Sequence, residues 1–159
     1  MAGYFFDTSA LVKYYHAESG PSRVRSILEE PARQVRISTL GLVEAQSVFA
    51  MKVRSSQVTR DVAGLLRARL MLDIAAGSIE IYTLTEDHFA EAERLIGRFA
   101  FSHRLRTLDA LQLAVLDLSQ QNLLDYFVVA DRALAEIGAS VSLKVINPEI
   151  DDQPAKMNP

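Results

Sequence analysis

A chain of 159 residues is long enough to bury a real core as one domain, and the absence of cysteine excludes disulfides, thiolate zinc sites and a cysteine nucleophile. With 49% hydrophobic and 23% charged residues the composition is that of an ordinary soluble globular protein, and a net charge of −3 does not announce a nucleic-acid binder. No apolar run approaches the ~20 residues that span a bilayer, and Asp7 interrupts any signal-peptide-like core before it starts, so a cytoplasmic protein without membrane contact is the expectation.

Residues 4–6 predict a short buried strand that stops at Asp7, and a helix over 9–16 follows, ending before Gly20 and Pro21. Pro21 suits the first position of a second helix, where its missing N–H costs nothing, and Pro31 ends that helix after Glu30. Residues 35–38 predict a second strand, with Thr39 capping the helix behind it. Long helices are expected over 40–55 and 58–76, the second closed by Gly77 in the left-handed conformation. A third strand over 79–83 leads to a helix over 86–100, capped by Thr85, with Glu86 and Asp87 favourable in its first turn. The basic loop His103-Arg104-Leu105-Arg106 precedes a helix over 108–120, capped by Thr107 and closed by Asn122. A fourth strand over 126–130, a short helix over 132–137 stopped by Gly138 and a fifth strand over 143–146 complete a domain over 1–148; residues 149–159 read as a flexible polar tail. At least one helix separates every successive pair of strands. Parallel strands need such crossovers, so the layout implies an α/β fold with a parallel sheet between two helical layers.

Four carboxylates stand out against this layout. Asp7 and Asp131 each end an apolar strand directly before a helix. Such a position is a good helix cap, and in an open parallel sheet it is also the carboxyl edge, where chemistry is placed. Glu44 lies four residues after Leu40 and four before Val48, along a stripe read as Leu40, Val43, Val48 and Met51. A carboxylate there must be paired, protonated or coordinated. Asp109 sits in the first turn of a helix that is apolar nearly all round, beside Leu113 and Leu116. The helix dipole accounts for its charge but not for its apolar neighbours. If the four meet at one edge, neighbours ~4 Å apart repel by about 4 kcal/mol at an effective dielectric near 20. Cations must then neutralise them, or some take up protons. An all-oxygen donor set favours Mg²⁺ or Mn²⁺ over zinc, and one or two such ions suit water activation for phosphodiester cleavage.

In order and spacing, Phe6-Asp7-Thr8-Ser9-Ala10-Leu11, Leu42-Val43-Glu44, Thr107-Leu108-Asp109-Ala110-Leu111 and Val129-Ala130-Asp131-Arg132 resemble the PIN domain, and more narrowly the VapC-type toxins of toxin–antitoxin pairs. The resemblance runs from Tyr4 to about Pro148. It implies a three-layer α/β/α PIN-like fold with a five-stranded parallel sheet. It further implies a Mg²⁺- or Mn²⁺-dependent endoribonuclease whose acidic quartet is Asp7, Glu44, Asp109 and Asp131, the last at a position that varies within the family. Ser9 takes the hydroxyl position that supports the metal or its water. A homodimer held inactive by a cognate antitoxin is implied as well.

Other features carry less. Lys13, Arg104, Arg106 and Arg132 adjoin the candidate ligands and read as contacts to RNA phosphate or as moderators of carboxylate repulsion. Elsewhere the arginine pairs are solvated faces, and His16, His88 and His103 lack metal-ligand spacing. Two other functions were weighed. A haloacid-dehalogenase-like phosphatase also opens with aspartate after an apolar strand, but wants a second aspartate where this chain has Ser9. A catalytically silent module of the same fold would bind RNA or protein without cutting.

Overall fold

The computed structural model describes residues 2–16, 21–119, 124–141 and 143–150. Five strands alternate with seven helices among these residues: β1 (Ala2–Phe6), α1 (Thr8–Tyr15), α2 (Pro21–Glu29), β2 (Arg33–Ser38), α3 (Thr39–Arg54), α4 (Arg60–Ala75), β3 (Glu80–Tyr82), α5 (Glu86–Phe99), α6 (Thr107–Ser119), β4 (Tyr126–Val128), α7 (Arg132–Ser140) and β5 (Val145–Ile146). The strands form one all-parallel sheet in the order β3-β2-β1-β4-β5. The chain builds outward from β1 to one side and then crosses to β4 and β5 on the other. That reversal creates a crevice at the carboxyl ends of β1 and β4, where ligands of open α/β sheets bind.

Strand side chains alternate between two cores. Tyr4, Phe6 and Val128 face the layer of α1, α2, α3 and α4, among Leu11, Ile27, Phe49 and Leu70. Phe5, Phe127 and Val129 face the layer of α5, α6 and α7, among Leu95, Leu113, Leu134 and Ile137. Because both faces are covered, the central strands read as continuous apolar runs. The two aromatic strands are in register, Tyr4 opposite Tyr126 and Phe5 opposite Phe127, with the tyrosine rings stacked at 5.1 Å. This pairing fixes the relative height of Asp7 and Asp131.

Several expected details differ. The cap of α3 is Ser38, whose Oγ accepts from Gly41 N–H at 3.0 Å, not Thr39, which opens the helix. Thr107 is likewise the first residue of α6. Gly138 lies inside α7: a Cβ there would stand 3.1 Å from the Phe127 ring and 3.3 Å from Val145, so it permits close packing on β4 and β5 and does not stop the helix. The face of α3 that is buried is Gly41, Ala45, Phe49 and Lys52; Val43 is 67% exposed and Met51 41%, which moves the expected stripe by about a third of a turn. Gly77 does adopt the left-handed conformation after α4, with φ +72°. The expected stops near Gly20 and Asn122 lie outside the described residues. Of the expected tail, 149 and 150 are described, in a turn in which Glu149 N–H donates to Asn147 Oδ1; residues 151–159 lie outside the described residues. Among the described residues no helix is long and apolar enough to cross a membrane.

Candidate active site

The crevice between β1 and β4 is bordered by four polar contacts that follow from the local sequence. Asp7 directly ends β1 and caps α1, its Oδ2 accepting from Ser9 N–H at 2.9 Å. Its own N–H donates to Val128 O at 2.9 Å, continuing the β1–β4 ladder. Ser9 Oγ accepts from Ala130 N–H at 3.1 Å, which pins the start of α1 to the end of β4. One residue further, Asp131 caps α7 through Oδ1 and Leu134 N–H at 3.0 Å. The capping reading of both aspartates is therefore correct, and it also places both at the carboxyl edge of adjacent strands.

Glu44 and Asp109 come to this edge from opposite helical layers. Glu44, on the second turn of α3, is half-buried, and its Oε2 accepts from Thr8 Oγ1 and from Gln112 Nε2, both at 2.8 Å. Gln112 is 1% exposed, and its Oε1 accepts from Ser38 Oγ–H at 2.8 Å. Asp109 lies in the first turn of α6, one turn before Gln112, and is half-buried. Thr8, Ser38 and Gln112 were not expected to matter. The available signal was Gln112 itself, an amide three residues after Asp109 in an otherwise apolar run, because buried amides are hydrogen-bonded.

The charges act on one another. Asp7 is 6% exposed. Burial raises its pKa above the usual carboxylate value and the Glu44 charge adds to this, while hydrogen bonds from Ser9 and Thr8 pull the other way. Asp109 is also raised, first by burial, then by the charges of Asp7 and Asp131; the Arg106 N–H and guanidinium oppose the shift. Asp7 thus senses Glu44, and Asp109 senses Asp7 and Asp131. Even so, among the described residues no three Asp, Glu or His side chains stand close enough to hold one ion together. The donor set is all carboxylate oxygen, which fits a hard divalent ion by chemistry. Mg²⁺ keeps several waters when bound, so it does not require all its ligands from the protein.

The basic residues divide. Arg104, Arg106 and Arg132 are exposed, on the loop before α6 and at the start of α7. Lys13, expected to meet phosphate, is instead buried, and its Nζ pairs with Glu149 Oε1 at 2.8 Å. A cavity of about 640 Å³ lined by Tyr82, His88, Arg94 and Leu118 contains none of the four carboxylates. Arg94 there is bound to Glu91 and Asp117, bracing α5 on α6.

The family model for the PIN domain matches residues 4–139. No curated protein matches the chain. Solved structures do. The sarcin–ricin-loop-cleaving toxin VapC20 of Mycobacterium tuberculosis aligns with a TM-score of 0.62 at 18% identity, covering 85% of this chain and 95% of that one. FitAcB from Neisseria gonorrhoeae aligns with a TM-score of 0.64 at 18% identity, covering 91% and 97%. VapBC2 from Rickettsia felis, bound to a DNA fragment from its promoter, aligns at 0.62 and 14% identity, covering 91% and 98%.

Proposed function

The chain belongs to the PIN domain family, and from that premise we propose that it is a metal-dependent endoribonuclease, the toxin of a toxin–antitoxin pair. The observation that carries this reading is the mutual electrostatics of the crevice. Asp7 is buried at the carboxyl edge with the Glu44 charge acting on it, and Asp109 feels both Asp7 and Asp131. A fold gains no stability from bringing such charges together, so a cation is the reason for their arrangement.

Asp7, Glu44, Asp109 and Asp131 would hold Mg²⁺ or Mn²⁺. Such an ion, when bound, supplies positive charge against the charge that develops at a phosphodiester and acidifies a water. The chain's own residues supply the rest. Ser9 keeps α1 and β4 in register, so that Asp7 and Asp131 stay at one height. Thr8 and Gln112 orient Glu44. The exposed Arg104, Arg106 and Arg132 offer guanidinium forks to the RNA backbone. Without them an acidic crevice would repel its polyanionic substrate. A cognate antitoxin is part of the proposal, supported by structural neighbours that include a toxin–antitoxin complex from Klebsiella pneumoniae; a homodimer and a cytoplasmic location follow from the family resemblance alone.

One observation favours a second reading. Among the described residues no three acidic or histidine side chains form a group that could already hold an ion, as a silent RNA- or protein-binding module would allow. Purified, partner-free protein incubated with a panel of RNAs and Mg²⁺ or Mn²⁺ separates the two. Cleavage that is lost with chelator and in Asp7→Asn supports the nuclease. Binding without cleavage under either metal supports the silent module and sinks the nuclease.

A further inference from the structure

Glu44 is held by side chains from two other helices, α1 and α6. Its Oε2 accepts two hydrogen bonds, while its Oε1 makes none among the described residues. Which way the amide of Gln112 points is decided by the network around it. Gly41 N–H can only donate, and it donates to Ser38 Oγ. The Ser38 hydroxyl is completely buried, so its one proton needs an acceptor, and the partner within reach is Gln112 at 2.8 Å. Gln112 therefore turns its oxygen to Ser38 and its NH₂ to Glu44. The opposite flip would strand a buried hydroxyl proton and set the Gln112 oxygen against a Glu44 oxygen. Every donor in the chain Gly41, Ser38, Gln112 thus runs toward Glu44, and Thr8 adds a second from α1.

We propose that Gln112, together with Thr8, is a positioning residue that locks one oxygen of Glu44 with neutral donors and leaves the other turned to the crevice for a divalent cation. An arginine or lysine in the same place would orient Glu44 equally well but would cancel the charge that attracts the ion. An amide and a hydroxyl orient it and leave the charge intact. Gln112 also ties α6, which carries Asp109, to α3, which carries Glu44, and so holds acids from opposite layers at a fixed separation. This role rests on the ion-binding reading above.

The test is Mn²⁺ binding to the whole, partner-free chain, measured by calorimetry, with melting of each metal-free variant as the control for folding. Gln112→Met keeps the volume and removes the donor; Thr8→Val removes the other donor. Each is expected to weaken Mn²⁺ binding about tenfold or more, the usual effect of removing a hydrogen bond to a ligand, with a cooperative melt retained. Thr8→Ser is expected to restore what Thr8→Val loses, which a packing role for the methyl group would not produce. Wild-type affinity in both Gln112→Met and Thr8→Val overturns the positioning role and leaves the ion-binding reading standing. A wild-type chain that binds no Mn²⁺ overturns the ion-binding reading itself. Where Gln112→Met does not fold, the Thr8 pair decides by the same criterion.

Discussion

Asp7→Asn is expected to make the metal-free protein more stable while abolishing cleavage. Asparagine caps helices as well as aspartate does, so the bond from Ser9 N–H is kept and only the charge is lost. That charge is buried and faces another acid. An unpaired buried ion costs up to several kcal/mol, offset here by the donors from Ser9 and Thr8. A net relief on the order of 1 kcal/mol raises the melting temperature of a chain this size by roughly 2–4 °C. The pH dependence supplies the sign. The folded-state pKa of Asp7 is raised above its ordinary 3.8, so between those two values the native state binds more protons than the unfolded one. Stability from this group therefore falls as pH rises through that window and is level above it. Asp7→Asn should remove its share of that decline, whereas wild type and variant should converge at acid pH, where Asp7 is protonated. Adding Mn²⁺ should reverse the order: at 100 times the dissociation constant an ion bound only to the native state adds about 2.7 kcal/mol, a gain the variant should largely lose. Scanning calorimetry from acid to neutral pH, with and without Mn²⁺, reads all of this. A variant that melts below wild type without metal, or that falls with pH as steeply, would refute the electrostatic argument even if cleavage were lost.

Asp131→Ala should lose both the cap on α7 and its charge, costing about 0.5–2 kcal/mol by thermal melting, whereas Asp131→Asn should keep the stability; both should reduce cleavage if the carboxylate serves the ion. Replacing Arg104 and Arg106 together by alanine should weaken RNA binding in filter or fluorescence assays. If each meets one phosphate, the slope of log K against log salt should shrink by roughly 1.4, about 0.7 per contact on a single strand, and the turnover of bound RNA should be unchanged. Gly138→Ala should destabilise by about 1–3 kcal/mol in denaturant melts, because the new methyl meets the Phe127 ring at 3.1 Å.

The fold was legible because β1 and β4 are apolar runs and the helices are separated by strong punctuation. Gly77, Pro21 and Thr85 all mark real boundaries. The carboxyl edge was legible for Asp7 and Asp131 because a strand that ends in aspartate before a helix leaves little choice of where the side chain goes. Glu44 was harder. Its helix carries apolar residues on more than one side, and the stripe drawn through Val43 and Met51 is exposed, while small Gly41 and Ala45 line the buried face. Hydropathy weighs a large exposed valine above a buried glycine, so the face was misjudged. Of the Ser38–Gln112–Glu44 relay, only the lone amide in an apolar run was legible, not its partners. The relay joins positions 74 and 68 residues apart, and only the packing of α3 and α6 over the sheet edge brings them together.

How such a site holds its acids without cations is answered differently for three of them than for the fourth. Asp7 and Asp131 cap α1 and α7, and Asp109 lies in the first turn of α6. Each therefore sits at the positive end of a helix dipole, which favours a negative charge by about 0.3–1 kcal/mol and fades within the first turn. Glu44 lies beyond the first turn of α3, where that support has faded, and Ser38 already serves as the cap. It is the acid that takes two side-chain donors instead. Both devices use partial charges, and neither neutralises the site. Peptide and side-chain dipoles therefore hold the carboxylates in place and leave the negative potential that the proposed divalent ion would need.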